Sequence, residues 1–72
     1  MNSILQTEVT VKNLGDGNWK WHVQVEYEDG ADTWQITEDG TESSYLTARE
    51  AAADSLYLAE KEILAEQRDE SE

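Results

Sequence analysis

This chain contains no cysteine, no proline and no phenylalanine, and it has a single histidine. The lack of Cys rules out both a disulfide framework and a thiolate metal site as sources of stability. With no Pro, no turn is stiffened by a fixed φ, and the turns must rely on the four Gly residues. His22 alone offers no imidazole pair and no Cys/His dyad. No stretch approaches the ~20 apolar residues of a membrane span. The N-terminal "MNSILQTEVTV" has neither the basic segment nor the apolar run of a secretion signal. A soluble, cytoplasmic protein is therefore expected. Cations are scarce too: five Lys plus Arg stand against 17 Asp plus Glu, a formal charge of −12. Nucleic acids and anionic lipids are bound through clustered cations that displace counterions, so direct contact with either is not expected.

The 72 residues form one domain close to the lower limit for an unstapled core. Three Trp and three Tyr must carry much of the burial, at about 150–250 Å² per ring. Low hydrophobicity with high net charge is also the composition of disordered chains. Here, however, the apolar residues are periodic. In "NWKWHVQVEYEDG", Trp19, Trp21, Val23, Val25 and Tyr27 fall on one face of a period-two strand, and Lys20, His22, Gln24, Glu26 and Glu28 on the other. Upstream, Leu5, Val9 and Val11 alternate with polar residues, interrupted at Thr7, which predicts a strand from Ile4 to Lys12. "NLGDGN" supplies a flexible turn. Downstream, "EDGA" is an Asp-Gly hairpin signal. It leads to a third strand, Asp32 to Glu38, with Trp34 and Ile36 inward, ended by the pair Asp39-Gly40. Ser43 to Leu46 carries a weak signal for a short fourth strand.

The last third changes period. "TARE" reads as a capping box, Thr47 with Glu50, that opens a helix from Ala48 to Gln67. On a helical wheel, Ala48, Ala52, Leu56, Ala59 and Ile63 form one stripe that should lie on the sheet. Three of these five are Ala, which predicts a close approach of helix and sheet, with Trp rings filling the remaining volume. Tyr57, Leu58 and Leu64 flank the stripe.

The expected fold is α+β: a three-stranded antiparallel meander covered on one face by a C-terminal helix, β-β-β-α, over residues 1–67, with a polar tail at 68–72. From Trp19 to Ile63 this arrangement resembles the latter half of a double-stranded-RNA-binding domain, in which a meander precedes a helix that starts with small residues. That family grips phosphates with Lys at the helix N-terminus. Here "TAREAAADS" offers only Arg49 among Glu50 and Asp54, and the family's first helix has no counterpart. The likeness is one of topology, and RNA binding does not carry over.

Catalysis is not expected, because no nucleophile lies in an elbow motif and a lone His on a polar strand face is a surface residue. Glu26 and Glu28 share a strand face, but glycoside chemistry also requires a deep cleft that so short a chain can hardly build. "EDGAD" offers Glu28, Asp29 and Asp32 as oxygen ligands, without the spacing of a calcium loop. No cofactor and no dedicated metal site are expected.

The acidic surface remains. Glu8, Asp16, Glu26, Glu28, Asp29, Asp32, Glu38, Asp39 and Glu42 are the expected partner-binding residues, at strand ends or on the open sheet face. Alternate strand residues are about 6.6 Å apart. That interval is comparable to the separation of phosphates along a nucleic-acid strand. The expected function is a non-catalytic module that docks on a basic protein, as a nucleic-acid-mimicking inhibitor of a DNA- or RNA-handling complex of phage or mobile-element type would. The alternative is an adaptor or homodimer that binds through its edge strand or helix, with charge serving only solubility.

Overall fold

The computed structural model describes residues 2–70, with side chains described for residues 2–65. Strands β1 (Asn2–Asn13), β2 (Trp19–Asp29) and β3 (Asp32–Glu42) are followed by helix α1 (Tyr45–Glu70). The sheet is antiparallel in the order β1-β2-β3, so the architecture is the β-β-β-α meander that the sequence predicts.

The two turns use glycine where φ must be positive. Asp29 pairs with Asp32 across the two residues Gly30-Ala31, and Gly30 has φ 67°. Glycine at the first central position is the pattern of a type II′ hairpin, whose twist matches that of the flanking strands. The longer β1–β2 loop is closed by the Leu14 amide donating to the Asn18 carbonyl at 2.9 Å. Within it, the Gly15 amide donates to Asn13 Oδ1 at 2.8 Å.

In β1 the register slips by one residue between Ile4 and Gln6. The bulge at Leu5 takes that residue out of the alternation, whereas Thr7, opposite Val25, keeps its inward place as a polar interruption of the stripe. The bulge brings Ile4 onto the same face as Thr7, Val9 and Val11, and Ile4 packs against the core. Leu5 is correspondingly 49% exposed, so the apolar stripe of β1 starts from Ile4 and not from Leu5. Bulges on edge strands also hinder edge-to-edge pairing.

Asp39-Gly40 does not end the third strand. β3 continues to Glu42, and Gly40, which has no positive φ, lies opposite Trp21. A Cβ built on Gly40 would come within 2.8 Å of three atoms of the Trp21 indole. The glycine is thus a bed for a ring and not a turn residue. Trp21 Nε1 donates to Glu42 Oε2 at 3.4 Å, which holds the indole along the strand.

No fourth strand forms at Ser43 to Leu46; a bend at Ser43 and Ser44 leads into α1 at Tyr45. The helix therefore opens one turn before "TARE". Ser44 is its N-cap: the Thr47 amide donates to Ser44 Oγ at 3.2 Å, and Ser44 Oγ and Thr47 Oγ1 are 2.8 Å apart. The Trp19 ring meets Tyr45 edge to face, with centroids 5.2 Å apart, and anchors this first turn on the sheet. Replacing Ser44 by Ala should cost about 1 kcal/mol, whereas Glu50→Ala should stay within about 0.5 kcal/mol. Urea unfolding of the two variants checks the order, and the reverse order would restore Thr47 as the cap.

The predicted helix stripe is the buried one. Ala52, Ala59 and Ile63 are buried in one cluster with Val23 and Val25, Leu56 packs beside them, and Ala48 is buried as well. At the far end the Asn2 side-chain amide donates to the Ile63 carbonyl at 2.9 Å. The helix lies mainly over β1 and β2 and less over β3. Trp34, expected in the core, is on the helix-facing side but 52% exposed, because the helix leaves that edge uncovered. The helix backbone is described to Glu70 rather than stopping at Gln67; Ser71 and Glu72 of the predicted tail lie outside the described residues. No helix among the described residues is long and apolar enough to cross a membrane.

Candidate functional site

The alternation of each strand decides where its acids go, and the continuation of β3 through Gly40 decides it for Asp39 and Glu42. The open face holds Glu8 on β1, Glu26 and Glu28 on β2, and Asp39 on β3 opposite His22. Glu8 lies opposite Gln24 and is exposed, while Glu26 and Glu28 are half-buried. Asp32, Glu38 and Glu42 take the opposite parity and project on the side of the helix. Asp29 and Asp32 face each other at the β2–β3 hairpin. Asp16 lies in the β1–β2 loop, at the other end of strands about 33 Å long by their rise per residue.

The nine residues are therefore not brought onto one face. Glu26, Glu28, Asp29 and Asp32 gather at the hairpin end, with Glu8 further along the open face. Asp16 and Glu42 belong to the opposite end, and Glu42 accepts the Trp21 hydrogen bond. Nor is the open face uniformly anionic. Lys12 and Lys20 are direct cross-strand partners on it, beside the row of Thr10, His22 and Asp39. An array of carboxylates at 6.6 Å intervals is thus limited there to Glu26 and Glu28. Among the described residues no three His, Asp or Glu side chains are grouped so as to hold a metal ion.

Sequence reasoning missed the flank between α1 and β3. Ile36 and Glu38 of β3 face Ala51, Asp54, Ser55, Leu58, Ala59 and Glu62 of α1 across a groove of about 410 Å³. Its rim carries three carboxylates, Glu38, Asp54 and Glu62, and its walls are Ile36 and the 60% exposed Leu58. The pattern was present in the sequence: Asp54, Leu58 and Glu62 recur every four residues, a single row on a helix. What the sequence did not show is that the helix sits off centre and leaves this row beside an uncovered strand.

The cations among the described side chains lie elsewhere. Lys12 and Lys20 are at the loop end of the open face. Arg49 is nine residues from Leu58, half a revolution away on the helix. The Lys61 ammonium lies 5.9 Å from the centroid of the Tyr57 ring, and Tyr57 is turned about 100° from Leu58 away from β3. Among the described residues no Lys or Arg lines the groove. No protein-family model matches the chain, and neither a curated protein nor a solved structure matches it at a significant level.

Proposed function

We propose that this protein is a non-catalytic binding module that docks on a cationic protein through its carboxylate-bearing surface. The observation that carries the reading is the segregation of charge. The hairpin end and the α1–β3 flank hold Glu26, Glu28, Asp29, Asp32, Glu38, Asp54 and Glu62, while Lys12 and Lys20 sit at the opposite end of the sheet. Carboxylates left without local counterions attract a partner of opposite sign, orient it and speed its approach. The groove of a nucleic-acid-binding protein is the most concrete surface of this kind, and an inhibitor that occupies it fits the size and charge of the chain.

Capture of a partner from host lysate on the immobilised protein tests this reading. The captured protein should be basic, should be released at high salt, and should compete with added nucleic acid. Screening contracts from ~10 Å at 0.1 M to ~3 Å at 1 M salt, so affinity through exposed carboxylates must fall steeply over that range. Capture that survives 1 M salt unchanged would favour pairing through a sheet edge. β3 is the edge for that reading, since it carries no bulge whereas β1 does.

A further inference from the structure

The α1–β3 groove specifies more than charge. Along α1 the row Asp54, Leu58, Glu62 alternates acid, apolar, acid at rises of about 6 Å. Across from it, Glu38 and Ile36 repeat the pairing of carboxylate and hydrocarbon on β3. Trp34 lies outside the groove lining but two residues from Ile36 on the same strand face, and at 52% exposed it offers a further apolar surface there. Resting on the docking function proposed above, we infer that this groove receives an amphipathic helix of the cationic partner, laid beside α1 over β3.

A sheet floor with a helix along one side leaves the volume that a second helix fills, at the usual axis separation of about 8–10 Å. The incoming helix sets its apolar stripe on Trp34, Ile36 and Leu58. Asp54 and Glu62 are about 12 Å apart along the axis, so the partner should carry Lys or Arg at positions seven or eight apart, flanking that stripe. A third cation reaches Glu38. Charge also decides against a second copy of this chain, because matching grooves would oppose three carboxylates to three, with no Lys or Arg among the described lining residues to relieve them.

The test uses the full chain and two synthetic peptides of identical composition. One is patterned with Leu every third or fourth residue and Lys eight apart; the other is scrambled. Binding is followed by calorimetry and by the Trp34 indole NMR signal. The patterned peptide should bind about tenfold more tightly than the scramble and shift the Trp34 signal. Leu58→Asp and the pair Asp54→Lys with Glu62→Lys should each lose about tenfold; Glu26→Lys with Glu28→Lys, an equal change of charge on the open face, should lose less than the groove pair, and Glu50→Lys, at an exposed residue outside both surfaces, should change affinity less than about twofold. Leu58, Asp54 and Glu62 are surface residues, and circular dichroism verifies that the variants fold. Equal binding of the two peptides, or loss only in the open-face variant, would overturn the groove as the site and leave docking through acids standing. Failure of every cationic peptide to bind would overturn both. A wild-type dimer that Leu58→Asp dissociates would assign the groove to a second copy and sink the inference.

Discussion

Gly40→Val is expected to destabilise the fold by about 2–3 kcal/mol, although strand propensity alone argues for a gain of up to about 1 kcal/mol. The sign is set by the indole of Trp21. A Cβ at residue 40 would meet Cε2, Cζ2 and Nε1 of that ring at 2.8 Å, and a rigid bicyclic side chain cannot yield locally as the tip of a lysine can. Moving it forfeits apolar burial of a core-packed ring and its hydrogen bond to Glu42. For 72 residues, at ~0.05–0.15 kcal/mol each, the total stability is about 4–11 kcal/mol. A loss of this size is therefore large. The measurement is a double-mutant cycle by urea unfolding. In a Trp21→Ala background, Gly40→Val should become neutral or stabilising; a penalty of similar size there would show that the ring is not the cause.

The second large effect is expected at the helix–sheet contact. Ala52 is fully buried and packs in one cluster with Val23 and Val25, where a longer side chain has to displace its neighbours. Ala52→Leu should cost about 2–3 kcal/mol by lifting the helix or forcing poor rotamers. Its neighbour Ala53 is exposed, and Ala53→Leu should change stability by no more than about 0.5 kcal/mol. Both substitutions add the same hydrocarbon, so helix propensity cancels between them. Similar stabilities for the two variants, by urea or thermal unfolding, would mean that the layer has slack and that small residues at this stripe are not required.

These expectations separate what was legible in the sequence from what was not. Trp19 to Tyr27 and Ala48 to Ile63 were readable because each carries a clean period, two in one and 3.6 in the other, and burial follows from the period once the apolar face is known. The bulge at Leu5 was not legible, and Leu5 was counted in the apolar stripe, since a one-residue slip cannot be assigned until the partner strand is in place. Asp39-Gly40 misled because an Asp-Gly pair has two physical uses. It can turn a chain or, as here, leave room for a ring from the next strand, and only the pairing with Trp21 distinguishes them. The cap moved for a similar reason: Ser44 and Thr47 both suit a helix start, and the Trp19–Tyr45 contact, invisible in sequence, supports the earlier one. For the candidate site, the abundance of acid was legible and its distribution was not. Extending β3 by four residues placed Asp39 and Glu42 on opposite sides of the sheet, and the off-centre helix turned Glu38, Asp54 and Glu62 into a single rim.

The Lys12–Lys20 pair gives the molecule a head and a tail. The two ends of the sheet are separated by about 33 Å, several times the ~8 Å over which charges are felt at physiological ionic strength. A cationic surface that drifts near therefore senses one end at a time: at one, Lys12 and Lys20 offset the pull of Asp16, Asp39 and Glu42, and at the other the hairpin acids draw it without such opposition. Tumbling is biased before anything touches, and the collisions that remain favour those in which α1 and β3 already point toward the partner.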